Sequence, residues 1–350
     1  MTSRIPVGLL GATGSVGQRF VALLQDHPRF ELAWVAASER SAGRRYGDAA
    51  RWVLPTPLPA AAAELEVLSA DPAGTPEVPL VLSALDSGPA RALERPYARR
   101  GSLVVSNASA HRMDRDVPLL VPEVNADHLG LLETQSEAGG LITNPNCSTI
   151  GFVLALKPLF DAFGLRTARV VSLQAISGAG LPGVASMTIV DNAIPFIPSE
   201  EDKLESEPAR ILGALEGDEV RPAPLAVSAQ CNRVPVIDGH LLSVSVELAA
   251  DDAAEADLIA AWRGFRGEPQ ELGLPSAPAE PTIYLDAPDA PQPRMHRELG
   301  GGMSCSVGRL RRDPLGGWRF VALVHNTLRG AAGGALLCAE LAEARGALPS

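Results

Sequence analysis

An apolar run from Ile5 to Leu10 passes straight into Gly11-Ala-Thr-Gly14-Ser-Val-Gly17, and a helix-patterned stretch, Gln18 to Gln25, follows without a gap. A short buried strand, a tight glycine turn and a helix in that order commit the N-terminal half to a parallel α/β sheet, because parallel strands need helical crossovers. The spacing is G-x-x-G-x-x-G, not G-x-G-x-x-G, and an isolated triple-glycine turn is no more than a turn. Its place between the first strand and the first helix predicts a dinucleotide site. There Gly11, Thr13, Gly14, Ser15, Val16 and Gly17 surround a pyrophosphate, which backbone N–H groups and the helix N-terminus attract.

The next strand, Phe30 to Ala37, ends where a doubly wound sheet holds the adenosine ribose. An acidic residue there favours the free 2'-hydroxyl of NAD. This chain instead supplies Ser38, Arg40 and Ser41, then Arg44 and Arg45, and such hydroxyl and guanidinium donors suit a 2'-phosphate. NADP is the expected cofactor, although Glu39 leaves room for NAD. Leu54 to Ala63, rich in proline and alanine, reads as a loop. Pro79 to Leu85 reads as a buried strand, Pro89 to Arg100 as a helix and Ser102 to Ser106 as another strand. The polar loop Asn107 to Met113 then falls at a strand's carboxyl end, where Arg112 is placed to hold an anion.

Thr143-Asn-Pro-Asn-Cys147-Ser-Thr149 lies between the apolar run Gly140 to Thr143 and a helix-like stretch from Ile150 to Phe160. Cys147 therefore sits where a strand hands over to a helix, and the unpaired N–H groups of a first turn stabilise a thiolate and lower its pKa. A cysteine is more often a small buried apolar residue. Flanking asparagines, serine and threonine make a poor core and mark a site.

Beyond that helix the alternation resumes as a separate sheet domain. Arg169 to Ser177 runs into the glycine-rich turn Gly178 to Gly183, which permits close backbone approach to a ligand. Glu200 opens a helix with acids near its N-terminus, and Glu200 and Lys203 share a face. Arg233 and His240 flank the connection between two strands. Proline dominates Glu268 to Pro293, an extended and weakly regular excursion. Met303 to Leu310 and Trp318 to Val324 read as strands leading to His325-Asn326, and Ala331 to Ala344 as a helix able to pack back on the nucleotide domain.

With 350 residues, 46% of them hydrophobic, the chain suits two domains. A net charge of −11 argues against nucleic-acid or anionic-membrane partners and for a small molecule. Cys147, Cys231, Cys305 and Cys338 show neither C-x-x-C pairing nor a zinc pattern, as expected of reduced thiols. No signal-peptide core and no uncharged run of membrane-spanning length is present, so the reading is a soluble, cytoplasmic protein without a metal site.

Six stretches in order resemble one family, aspartate-β-semialdehyde dehydrogenase, in its archaeal and fungal-type branch. They are Gly11 to Gly17, Asn144 to Thr149, Gln174 to Gly180, Asp191 to Pro195, Asn232 to His240 and His325 to Ala332. The resemblance implies an α/β fold with a Rossmann-like NADP-binding domain (1–146, completed by a C-terminal helix, 327–350) and an α+β catalytic and dimerisation domain with a mixed sheet (147–326). It implies NADPH-dependent reduction of β-aspartyl phosphate to aspartate semialdehyde and phosphate, in a homodimer or homotetramer. Cys147 would be the nucleophile that forms a thioester, His240 its general base or acid, and Gln174 a positioning amide.

By the same match, Arg233 binds the substrate carboxylate and Glu200 its ammonium group, Arg112, Lys203 and Asn146 hold phosphate, and Ser177, Gly178 and Asn326 lie near the nicotinamide. This branch usually shows glycines before Glu200, where this chain has Pro198 and Ser199, so Glu201 remains an alternative partner for the amine. Malonyl-CoA reductase resembles the same branch, and a non-catalytic NADP-binding regulator is the alternative from another class. The phosphate and amine partners argue against the first. Intact Cys147, Gln174 and His240 argue against the second.

Overall fold

The computed structural model describes residues 4–250 and 252–349. The first sheet contains β1 (Ile5–Leu10), β2 (Phe30–Ala37), β3 (Val67–Ser69), β4 (Leu80–Ser83), β5 (Leu103–Ser106) and β6 (Gly140–Thr143), in the order β3-β2-β1-β4-β5-β6. Every pairing is parallel. β4 and β5 are buried at every position, as unbroken apolar strands must be when helices cover both faces. The order reverses between β1 and β4, and a crevice opens there at the strands' carboxyl ends.

The glycine turn lies at that reversal. Gly11 has φ +72°, and a methyl group on it would stand 2.4 Å from the Ala84 carbonyl, so both conformation and space demand glycine. Gly14 caps the helix Ser15–Leu24.

The second sheet takes the order β10-β7-β11-β14-β13-β12. Its strands are β7 (Leu165–Gln174), β10 (Ala226–Arg233), β11 (His240–Leu248), β12 (Thr282–Leu285), β13 (Cys305–Arg312) and β14 (Trp318–Val324), while β8 (Ala214–Glu216) and β9 (Glu219–Arg221) form a separate hairpin. The outer pairs β10–β7 and β12–β13 are parallel and the inner pairs antiparallel, which makes the sheet mixed. One face carries Ala168, Val170, Leu242, Val244 and Phe320 into a core shared with the helix Cys147–Phe163. The opposite face stays open at alternate positions, with Val171 39% exposed.

The closing helix, Gly333–Ala344, joins the core of the first sheet, as its run of small residues anticipates. It begins two residues later than the pattern indicates, because Leu328–Ala332 forms a wider π-type turn ahead of it. Two segments are more regular than their composition implies. The stretch read as a loop over Leu54 to Ala63 ends in a single helical turn, Ala60–Ala63. The proline-rich excursion contains a turn of helix, Glu268–Glu271, and the edge strand β12, whose four residues are held in place by pairing with β13. Among the described residues no helix is long and apolar enough to cross a membrane.

Arg329, in the π-type turn, donates to both oxygens of Glu123 at 2.8 and 2.5 Å, and both side chains are essentially sealed from solvent. A buried carboxylate left without its partner is costly, so Arg329→Ala is expected to destabilise the chain by about 3–5 kcal/mol. Urea titration checks this, and a loss under about 1 kcal/mol would mean that water or a neighbour replaces the guanidinium.

Candidate active site

Cys147 is the first residue of its helix, and Asn146 is the cap. The Asn146 Oδ1 accepts from the backbone N–H groups of Ser148 and Thr149 at 2.9 and 3.3 Å, which occupies two donors that a free helix end would have offered to the sulfur. A methyl group on Gly330 would lie 2.7 Å from the Cys147 Cβ, so the final motif of the chain backs directly onto the nucleophile turn. That contact is invisible in sequence, where the two lie far apart.

His240, at the start of β11, brings Nε2 to 3.2 Å from the Cys147 Sγ. Its Nδ1 accepts from the Ala175 backbone N–H at 3.0 Å, so the neutral ring carries its proton on Nε2, directed at the sulfur. Burial, reinforced by the Arg233 charge, pushes this imidazole down to about 3 and keeps it neutral. Burial, with the Glu200 carboxylate adding to it, pushes the Cys147 thiol up to about 12 against the pull of Arg112, Arg233 and Lys203. Desolvation and a nearby anion thus act against the lowering expected from the helix start, whose first N–H groups are already capped.

Glu200 is the hub of the polar cluster. Its oxygens accept from Asn146 Nδ2 at 2.9 Å, Gln174 Nε2 at 3.1 Å and Lys203 Nζ at 2.9 Å. Burial opposes its ionisation, yet Lys203 and these hydrogen bonds together hold the carboxyl below the usual range. Glu201 points elsewhere and accepts from the Cys231 backbone N–H at 2.9 Å. Arg233, at the end of β10, is 6% exposed and donates to the Ala175 carbonyl at 2.6 Å. Arg112 donates to the Asn107 carbonyl at 2.8 Å and to Glu207 at 2.9 Å. Glu207 escaped the sequence reading, although its place seven residues after Glu200 puts it on the same helix face.

A cavity of about 1150 Å³ runs from the glycine turn to the thiol. Gly11, Thr13, Gly14, Ser15 and Val16 line it, with Ser38, Glu39 and Arg40 beyond β2 and with Arg112, Asn146, Cys147, Ser177, Gly178, Lys203 and Asn326 around the thiol. Two residues expected at the cofactor lie off this lining. Gly17 serves packing, since a methyl group there would meet the Gly11 carbonyl at 2.3 Å, and Ser41 closes a turn on Ser38.

Arg44 is paired at the surface with the Asp48 carbonyl and Arg45 with Glu64, and both lie off the cavity lining. Glu39 accepts from Ser69 at 2.6 Å, while Arg40 has no partner among the described residues. A glycine cradle at a helix start, followed by hydroxyls and one uncommitted guanidinium, fits a dinucleotide with a phosphorylated ribose. Asn326 joins the far end, donating to the Ser177 hydroxyl at 2.8 Å and accepting from the Gly239 N–H at 2.8 Å.

Fold and site together define a class: a doubly wound nucleotide domain joined to a mixed-sheet domain, with a cysteine–histidine pair in the crevice between them. Residues 6–132 match the model for the semialdehyde dehydrogenase NAD binding domain, and residues 156–329 that for the semialdehyde dehydrogenase dimerisation domain. The aspartate-semialdehyde dehydrogenase of Methanothermobacter thermautotrophicus is 48% identical over 96% of this chain and 98% of its own length. That of Saccharomyces cerevisiae is 41% identical over 99% of each. The crystal structure of the Candida albicans enzyme with NADP superposes with a TM-score of 0.91 at 41% identity, covering 99% of this chain and 100% of that one. The chain belongs to the aspartate-semialdehyde dehydrogenase family.

A thiol pushed up to about 12 is protonated throughout the neutral range, so its thiolate fraction grows about tenfold per pH unit. Iodoacetamide alkylation of Cys147 in the protein without substrate is expected to climb in this way from pH 7 to pH 10 with no plateau. An inflection below pH 8 would contradict the dominance of burial.

Gly178 carries a second constraint, because a methyl group on it would lie 2.8 Å from Arg233 Nη1 and 3.1 Å from His240 Cε1. Gly178→Ala is expected to cut kcat/KM by about tenfold or more through displacement of the two side chains, measured against an unchanged melting temperature.

Proposed function

We propose that this chain catalyses NADP-dependent reductive dephosphorylation of β-aspartyl phosphate to aspartate semialdehyde, through a thioester on Cys147. The observation that carries the reading is the Cys147–His240 pair, 3.2 Å apart, at the end of a cavity that begins at the glycine turn. The sulfur attacks the acyl carbon, an S–C bond forms, and the C–O bond to phosphate breaks with release of phosphate. NADPH, which the glycine turn and Ser177, Gly178 and Asn326 would hold, would supply the hydride for the acyl carbon; the S–C bond then breaks, the aldehyde leaves and the Cys147 sulfur is restored. In this tautomer His240 acts as the acid of the pair: its Nε2–H faces the sulfur and the substrate oxygen, steadies the developing thiolate and donates to the oxygen. Gln174 positions the reacting group.

Arg233 takes the α-carboxylate of the substrate, and Glu200 its ammonium group. The commitment of Glu201 to the β10 backbone favours Glu200 over it. Arg112, Lys203 and Asn146 hold the phosphate, which suits a cluster of cationic and amide donors beside the thiol. Ser177, Gly178 and Asn326 border the nicotinamide. The nucleotide domain comprises 1–146 with the C-terminal segment 327–350, whose helix is Gly333–Ala344, and the catalytic domain 147–326. A homodimer formed through the open face of the second sheet agrees with the match to a dimerisation domain and with the exposure of Val171. Four free cysteines agree with a cytoplasmic location.

The test is a phosphate-dependent assay: purified protein, aspartate semialdehyde, phosphate and either NADP or NAD, followed by absorbance of the reduced cofactor. Turnover with NADP exceeding that with NAD is expected. No turnover here, together with active malonyl-CoA reduction, would overturn the substrate. Cys147→Ala is expected to abolish turnover and leave NADP affinity within about tenfold, and His240→Gln to lower kcat by roughly 10²- to 10⁴-fold. A near-normal rate in either variant would remove that residue from the mechanism.

A further inference from the structure

Glu207 belongs to the helix Glu200–Ile211, is 2% exposed, and uses its two carboxylate oxygens on two different segments of the first domain. One oxygen accepts from Arg112 Nη1 at 2.9 Å and the other from the backbone N–H of Asn146 at 2.8 Å. Arg112 comes from the loop after β5, and Asn146 from the turn after β6. This carboxylate, delivered by a helix of the other domain, is a hydrogen-bond partner that the two share, and Asn144 Nδ2 also joins their segments by donating to Asn107 Oδ1 at 2.9 Å.

We propose that Glu207 is the positioning residue that sets Arg112 and the Asn146–Cys147 turn at a fixed separation, and so decides how a phosphate group bound beside the sulfur is aligned. The inference rests on the proposed phosphate-releasing reaction. Its physical content lies in what a carboxylate alone supplies: two acceptor oxygens, diverging toward two donors. Oxygen Oε2 anchors the backbone N–H of the capping residue Asn146, whose Oδ1 accepts from the Ser148 and Thr149 N–H groups while its Nδ2 donates to Glu200. Oxygen Oε1 holds the guanidinium. Arg112, a residue of the cavity lining, has one terminal nitrogen bound to Glu207 and the other to the Asn107 carbonyl, and its Nε is buried without a protein partner. A glutamine at 207 satisfies only one of the two donors and turns an NH₂ group against the other.

The experiment measures phosphate KM, kcat and NADP Kd for wild type, E207Q and E207D. Wild type must first show phosphate-dependent turnover; its absence would overturn the proposed reaction and this inference with it. With an active wild type, E207Q is expected to raise phosphate KM about tenfold or more and lower kcat roughly 10- to 100-fold, while NADP Kd stays within about threefold. The phosphate concentration that half-protects Cys147 from iodoacetamide is expected to rise in parallel. If Glu207 merely neutralises a buried arginine, E207Q lowers the melting temperature but leaves phosphate KM and half-protection within about twofold of wild type, which would overturn the proposal. Should E207Q fail to fold, E207D reads the same quantities, since it keeps both acceptors on a shorter arm. A shifted phosphate KM with normal NADP affinity supports the assignment, and a wild-type phosphate KM refutes it.

Discussion

The helix Cys147–Phe163 starts at the carboxyl end of β6 in one sheet and buries its length against the other. Its burial is continuous from Ser148 to Leu156, and its apolar residues all belong to the core beneath the second sheet, so that core sets its direction. The thiol on its first residue is held between the end of β6, the Gly330 turn and the core of the second sheet. Precision at the reacting atom thus comes from apolar packing, and the polar groups around it inherit that frame.

Within this frame the two carboxylates of the polar cluster are paired before any substrate arrives, while Arg112 Nε is left without a partner. Glu200 spends its oxygens on Asn146, Gln174 and Lys203, and Glu207 divides its pair between Arg112 and the Asn146 backbone. Such a network is stiff because each member satisfies a neighbour that would otherwise be buried without a partner. It also explains why the resting pair is neutral. Burial acts on both Cys147 and His240, and the surrounding charges do not outweigh it.

Much of the nucleotide domain was legible in the residues. A buried strand, a glycine turn and an amphipathic helix carry local signals that survive any tertiary context, and Gly11 and Gly14 took the places their spacing implies. The cofactor specificity region was legible only in part: Ser38 and Arg40 face the cavity, whereas Arg44 and Arg45 are drawn off by Asp48 and Glu64. Nothing local distinguishes a guanidinium free to bind a phosphate from one already paired. β12 escaped notice for a related reason, since four residues among prolines become a strand only through pairing with β13.

The sequence by itself determined the chemical inventory of this protein: a cysteine at a strand-to-helix junction, a histidine opening a strand, a glycine turn and a helix with acids and a lysine on one face. These follow from neighbours along the chain, where propensity, capping and side-chain period operate. Only the tertiary structure decided which of them meet. His240 reaches Cys147 across 93 residues, and Glu207 reaches Arg112 across 95. The thiol's acidity likewise depended on burial and on charges brought from distant segments, because desolvation is a property of the packed interior and not of any stretch of chain.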